Sequence, residues 1–251
     1  MTEPLKLHIK VDSGMGRIGV RSLEELHAVE AAIQAQPTMI LDGIFTHFAT
    51  ADEEDTSLFT KQVQQFTSFV DALAVRPACV HASNTAAALI KDEALQFDAV
   101  RYGISLYGLA PSSYVASIEP FELQPALSLQ TELVHVKKIS AGDSVGYGAT
   151  FVAAENCWVG TLPIGYADGM IRKLGGQEVL IDGQRMPLIG RICMDQCMVL
   201  LPKKYPVGEP VQLIGKQGNE HVTLDEWAAR LQTINYEVPC NFTNRIPRFY
   251  K

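Results

Sequence analysis

The stretch LKLHIKVDSGMGRIGV, Leu5 to Val20, puts apolar Leu5, Leu7, Ile9 and Val11 at odd positions and ionisable Lys6, His8, Lys10 and Asp12 at even ones, then runs into a glycine-rich turn carrying Arg17. Strict alternation marks a strand whose two faces meet different surroundings. Water is the simplest surrounding for the polar face. Whether it is the right one depends on what the chain does next.

Up to about Ala110, short apolar runs alternate with helical patterns. Strands are expected over Leu5–Val11, Ile40–Phe48, Ala78–His81 and Val100–Tyr107. Between the first two, SLEELHAVEAAI opens with Ser22 and Glu25 in capping-box spacing and lines up Leu26, Val29 and Ile33 on one helical face. Between the next two, SLFTKQVQQFTSFVDAL spaces Phe59, Val63, Phe66, Val70 and Leu73 as a helix does, behind an acidic lead-in, Asp52 to Asp55, that suits a helix N-terminus. An alanine-rich helix over Thr85 to Ile90 fits the third gap. Such an alternation implies a parallel sheet covered by helices, with the chemistry gathered where strands end.

That architecture changes the meaning of the opening strand. If its apolar face meets the helices, Lys6, His8, Lys10 and Asp12 face the inside of a closed or half-closed barrel, with Lys10 and Asp12 near the mouth. The other strand ends also deliver polar groups: His47 in THFATADE, then His81, Ser83 and Asn84 in VHASN, then Arg101 in VRYG.

The segment Ala110 to Leu127 carries three prolines and no clear period, so it reads as a linker. Beyond it ALSLQTELVHVKKI, CWVGTLPIGY, QEVLIDGQRMPLIG and EPVQLIG are strands with turn punctuation, Asp182-Gly183 being a strong hairpin signal. One helix, TLDEWAARL, begins with a second capping box, Thr223 and Glu226. The fold expected is therefore α/β followed by a mostly β domain.

Composition narrows the function. The chain has 251 residues, 47% of them hydrophobic, and a formal charge of -7 with its basic residues scattered, so a general nucleic-acid binder is not expected. No window approaches the apolar length of a membrane span, and MTEPLKLHIK lacks a signal-peptide layout, so the expected address is the cytoplasm. Five scattered cysteines suit a reducing compartment, and the pair in CMDQC has no second pair to complete a zinc site.

The strand ends admit two enzyme readings. His8, Lys10, Asp12, His47 and His81 could hold a divalent ion for hydrolysis, with a carbamylated lysine as the bridge. Arg17 and Arg101 weigh against it, because a permanent positive charge repels a dication. The rim suits an anionic small molecule better, and the glycine turns SGMGRIG and YGISLYG could offer it backbone N–H groups. Neither turn has the spacing of a P-loop or a dinucleotide fingerprint. Tyr147, Tyr166 and Tyr236 recur among glycines in the second half, where a tyrosine in catalysis would need a cation nearby, since a phenol ordinarily ionises near pH 10.

Taken together, HIKVDSGMGRIG, GIFTHFATADE, HASNTAA, VRYGISLYGLAPS, GYGATF, PIGYADG, GRICMDQCMV and TINYEVPCN closely resemble the motifs of alanine racemase, in order and over nearly the whole chain. The resemblance implies pyridoxal 5'-phosphate as cofactor, a (β/α)8 TIM-type barrel followed by a β domain, and a homodimer in which each site is shared between one barrel and the partner's β domain. It gives residues 1–122 to the C-terminal half of the barrel and 123–251 to the β domain. It implies interconversion of L- and D-alanine, the supply of D-alanine for peptidoglycan, and no metal, nucleic-acid or membrane partner.

The roles follow by match. Tyr147 resembles the tyrosine that exchanges the substrate's α-proton, and Arg17 the arginine that binds its carboxylate. Lys10 matches a lysine often carbamylated in the family, whose new negative charge holds that arginine. Arg101 resembles the arginine facing the cofactor's pyridine nitrogen, buttressed by His47. Phosphate contacts are implied for Thr85, where the family often has serine, for the backbone of Gly103 and Ile104, and for Tyr236. Met194, Tyr166 and Asp195 resemble residues on the substrate side and near the entry.

The family's Schiff-base lysine lies in a KANAYGHG-like motif with no counterpart here, and the resemblance begins at about the family's fifth strand. The expectation is the latter part of an alanine racemase, either a piece of a longer enzyme or a shortened protein. The alternatives are a non-catalytic module that keeps the cofactor and amino-acid contacts, and a related pyridoxal-phosphate barrel that acts on serine.

Overall fold

A computed structural model of the chain describes residues 4–118 and 122–250. They form two compact units, Met1–Gln124 and Pro125–Lys251.

The first unit runs β1 (Leu5–Lys10), α1 (Leu23–Gln34), β2 (Met39–Phe45), α2 (Ser57–Asp71), β3 (Cys79–His81), α3 (Thr85–Ile90) and α4 (Ser113–Ile118). The strands pair in parallel in the order β1-β2-β3. Ile9, Ile44 and Val80 stand in register across them and are buried against Leu26, Ile33, Phe59, Phe66 and Phe69 of the helices. The other face carries a row of Lys10, Phe45 and His81 and beneath it a row of His8, Gly43 and Cys79. Gly43 is required there, because a Cβ on it would lie 2.4 Å from the His8 ring. The alternation in the opening stretch thus separates a helix-packed face from a polar one, as expected.

Three local readings need correction. Ser22 accepts the Glu25 N–H at 3.2 Å, but the Glu25 carboxylate bonds the Arg21 N–H at 2.6 Å, so the reciprocal half of the box is displaced by one residue. Val29 is exposed and Glu30 is buried in its place, with its carboxylate accepting from the Ala74 N–H at 3.3 Å. Val100–Tyr107 is not a strand. Pairing with β3 ends in a single bridge, His81 to Ala99, after which the Arg101 N–H reaches Ser83 O and the Gly103 N–H turns to the Thr85 hydroxyl, leaving Ile104–Tyr107 as a 3-10 turn. The proline-rich segment contains α4, and its residues 119–121 lie outside the described residues.

In the second unit the strands are β4 (Leu129–Glu132), β5 (His135–Ile139), β6 (Ser144–Val145), β7 (Phe151–Val152), β8 (Cys157–Leu162), β9 (Glu178–Ile181), β10 (Gln184–Ile189), β11 (Cys197–Leu201), β12 (Pro210–Gln217) and β13 (Glu220–Val222), followed by α5 (Leu224–Leu231) and α6 (Glu237–Cys240). One antiparallel sheet orders eight of them β13-β12-β9-β10-β11-β8-β5, with β4 also on β12, and β6 and β7 pair with each other apart from it. The run ALSLQTELVHVKKI is two strands, because the Leu133 N–H bonds Glu209 O while the Val134 N–H bonds Thr161 O, and the chain changes neighbour between them. Asp182 and Gly183 have φ of 52° and 70° and close the β9-β10 hairpin, as a type I′ turn demands. Thr223 and Glu226 form the expected capping box. Arg185 on β10 is surrounded by Glu178, Glu220, Glu226 and the His221 carbonyl, which ties β9, β10 and the edge strand β13 to α5.

Candidate active site

The turn after β1 is built to return. The Val20 N–H bonds Lys10 O and the Asp12 N–H bonds Val20 O, so residues 13–19 form a closed loop. Gly19 has φ +123°, and a Cβ there would lie 2.7 Å from the Asp12 nitrogen, so only glycine fits the closure. Buried Asp12 accepts the N–H groups of Gly14 and Gly16 at 3.2 and 2.9 Å, and these bonds hold its carboxyl below the usual carboxylate range. Arg17 lies in this loop and is exposed.

Beneath the loop is a residue that the sequence did not single out. Gln62 on α2 is fully buried; its side-chain oxygen accepts the Ala49 N–H at 2.9 Å, and its amide donates to His47 O at 3.1 Å and faces the Ser13 hydroxyl at 3.5 Å. Ser13 and Thr46 share a 2.6 Å bond, and Thr46 donates to Val11 O. One buried side chain thus joins the loops that carry Arg17 and His47. Helical periodicity places Gln62 next to Val63 but cannot reveal that two loops fold over it.

On the polar face Lys10, Arg101, His47 and His81 converge. Lys10 Nζ donates to Val11 O at 2.6 Å and lies 5.5 Å from the centre of the Phe45 ring, and Arg101 Cζ lies 5.5 Å from the same centre. Burial first, then Arg101 and Arg17, pull the Lys10 amine below its ordinary value, against the opposing pull of Asp12. Arg101 Nη1 is 2.6 Å from His81 Nδ1, and Nη2 donates to Thr46 O and Ala82 O and lies 3.3 Å from His47 Nδ1. The shorter imidazole contact is therefore to His81, in addition to the expected one to His47. Burial, followed by the Arg101 charge, lowers both imidazoles to about 4.

The guanidinium fixes the protons in this row. Arginine donates and never accepts, so His81 Nδ1 presents a lone pair and its Nε2 carries the hydrogen. That hydrogen meets His8 Nδ1 at 2.9 Å, which leaves the other His8 nitrogen facing the Asp42 carboxylate at 3.7 Å. His8, Cys79 and His81 are close enough together to hold a metal ion. Yet His81 Nε2 could become a ligand only by losing its proton while Nδ1 stays bonded to Arg101, and the result would be an imidazolate. The donor set favours a hydrogen-bonded chain over a metal centre.

A pH dependence follows from the two lowered imidazoles. Their folded values near 4 lie below the ordinary 6.5, so the unfolded chain takes up protons first as the pH drops. The stability they carry is complete above pH 6.5 and drains as the pH falls toward 4. Urea unfolding midpoints of the first unit are expected to decline across that window, and His81→Asn should flatten the decline. A midpoint constant from pH 7 to pH 4.5 would contradict these environments.

Thr85 opens α3, and its hydroxyl accepts the Gly103 N–H at 2.8 Å, so Thr85, Gly103 and Ile104 form one small polar corner beside Arg101. In the second unit Tyr147 begins a 3-10 turn, is 69% exposed, and stands beside Gly148, where a Cβ would lie 3.2 Å from the Arg191 guanidinium. Tyr166 and Met194 lie on adjoining loops, joined where the Tyr166 N–H bonds Cys193 O and the Ala167 N–H bonds Met194 O, both at 3.0 Å. Asp195 follows Met194 and accepts from Arg245 at 2.6 Å. Tyr236 immediately precedes α6 and is partly exposed.

A parallel α/β sheet with a cation-and-imidazole face, joined in one chain to an antiparallel β unit, defines a two-unit α/β-plus-β protein with a cationic rim. Family models described as the N-terminal and C-terminal domains of alanine racemase match residues 1–111 and 126–250. An alanine racemase of Listeria innocua is 53% identical over 247 residues, 98% of this chain and 67% of that protein. The crystal structure of alanine racemase from E. faecalis superposes with a TM-score of 0.96 at 47% identity, covering 100% of this chain and 67% of that one. A histidine racemase from Leuconostoc mesenteroides superposes with a TM-score of 0.91 at 35% identity, covering 99% and 67%. The chain belongs to the alanine racemase family, and it spans about two thirds of the length of these relatives. No described helix is long and apolar enough to cross a membrane, and all five cysteines are free thiols.

Proposed function

We propose that this chain carries the substrate-binding and tyrosine-side machinery of a cytoplasmic, homodimeric, pyridoxal 5'-phosphate-dependent alanine racemase that interconverts L- and D-alanine. The observation that carries the reading is the row of Lys10, Arg101, His81 and His47 beneath the Arg17 loop, in a chain with this family likeness.

The donor set fits the cofactor. Thr85 with the Gly103 and Ile104 backbone would hold its phosphate together with Tyr236, and Arg101 would meet its ring nitrogen. Pyridoxal phosphate, when bound, supplies the electron sink that makes the α-hydrogen of an amino acid acidic. An arginine bonded to two carbonyls and two imidazoles has its remaining capacity as a donor only, so it stabilises a ring nitrogen without surrendering a proton to it. Arg17 would take the substrate carboxylate, and Lys10, whose lowered pKa makes more of the neutral amine available, is the candidate for carbamylation. Tyr147 would hold and return the α-proton from one face, with Met194, Tyr166 and Asp195 lining the substrate side.

Supplied with pyridoxal phosphate and a segment that bears the family's Schiff-base lysine, the purified chain is expected to bring either enantiomer of alanine to an equal mixture, read by chiral chromatography; without that segment it has a proton carrier on one face only and is expected not to racemise. Racemisation of histidine or serine with alanine left untouched would replace the substrate assignment. Cofactor binding with no turnover of any amino acid would favour the non-catalytic module.

A further inference from the structure

The C-terminal segment of the second unit is laid across the loop that carries Tyr166. The Thr243 N–H bonds Asp168 O at 3.2 Å and the Thr243 hydroxyl donates to Ala167 O at 3.0 Å. The crossing is close enough that a Cβ on Gly169 would lie 2.5 Å from Asn241 O. Two residues further on, Arg245 places Nε 3.2 Å from Asp168 Oδ1 and Nη2 2.6 Å from Asp195 Oδ1. The two carboxylates belong to different loops, one following Tyr166 and the other following Met194.

These loops already meet through their backbones. A Cβ on Gly165 would stand 2.3 Å from both Cys193 O and Met194 O, so any larger residue there would push the loops apart. Asp168 is itself anchored, with a side chain only 10% exposed and Oδ2 accepting the Gly165 N–H at 2.9 Å. Asp195, at 54% exposed, has no such anchor on its own loop among the bonds described.

We propose that Arg245 is a positioning residue: its guanidinium spans Asp168 and Asp195 and thereby sets where Met194 and Tyr166 stand relative to each other. The catalytic meaning of this bridge rests on the racemase reading. A planar fork with separate Nε and Nη2 donors can engage two carboxylates at once, whereas a lysine ammonium is a single point of charge. The bridge is half exposed, so salt should weaken it.

Arg245→Met and Arg245→Lys test the bridge. In hydrogen exchange, Arg245→Met should speed the Tyr166 and Ala167 amides about threefold, the scale that a half-exposed ion pair supports, and leave strand amides such as Val199 and Leu200 unchanged. With alanine as substrate and a segment bearing the family's Schiff-base lysine supplied, KM should rise by about the same factor while kcat stays within about twofold. The wild-type KM should climb more steeply with ionic strength than that of Arg245→Met, where only the Arg17–carboxylate attraction remains to be screened, and Arg245→Lys should not restore the wild-type values. Unchanged exchange, acceleration spread over all of the second unit, or full rescue by lysine would each overturn the bridge. A wild-type chain that stays without racemase activity when that segment is present would count against the functional reading alone, because the exchange measurements decide the bridge independently.

Discussion

Gln62→Leu is expected to destabilise the first unit by about 3 kcal/mol, measured as a fall in urea unfolding free energy, and to weaken cofactor binding beyond what the lost stability explains. Leucine has a similar volume, so no large cavity forms. What is lost is the partner of two backbone groups, the Ala49 N–H and the His47 carbonyl, inside a fully buried site. A buried donor or acceptor left without a bond costs roughly 1–3 kcal/mol, which is why the sum exceeds that of an ordinary surface change. Gln62→Glu keeps the acceptor but removes the donor and adds a charge in a dry place, so it should be at least as harmful. Both loops over Gln62 carry site residues, and the change should therefore be felt at Arg17 and His47 as well as in the midpoint. A Gln62→Leu protein within 0.5 kcal/mol of wild type, to quote the usual scatter of neutral surface changes, would mean that these backbone groups find other partners.

Much of this site was legible from the sequence, and the illegible parts have specific causes. The alternation of Leu5–Val11 was readable because a strand has one period and the βα repeat supplied a reason for its polar face to turn inward. Ser22, Thr223 and Asp182-Gly183 were readable because caps and tight turns act within a few residues. The run Val100–Tyr107 also alternates, and it misleads. Its pattern is local, whereas the competitor for its backbone, the Thr85 hydroxyl, lies 18 residues away in sequence. Gln62 and Arg245 escaped for the same reason. Their partners are Ser13, His47 and Ala49 in one case and Asp168 and Asp195 in the other, and nothing within one helix or one tail shows that such loops converge. From sequence alone His81 is one polar group among several at the strand ends; its place beside Arg101 emerges only when β3 is set in register with β1 and β2.

With a segment bearing the family's Schiff-base lysine supplied, Tyr147→Phe should lower alanine racemisation by about 10²–10⁴-fold, the range attributable to one general acid–base group, while leaving the unfolding midpoint of the chain unchanged. The two halves of this prediction have different physical origins. The side chain is 69% exposed in the chain, so deleting its oxygen removes almost no packing and leaves no buried group unsatisfied. Its loop is closed by the bond from the Ala149 N–H to Gly146 O, which phenylalanine preserves. Only the proton-carrying atom disappears. Gln62→Leu should degrade stability and function together, whereas Tyr147→Phe should separate them, and that contrast distinguishes a group that does chemistry from one that holds chemistry in place. Racemisation by Tyr147→Phe within about threefold of wild type, far inside the range expected for losing an acid–base group, would remove Tyr147 from the proposed mechanism.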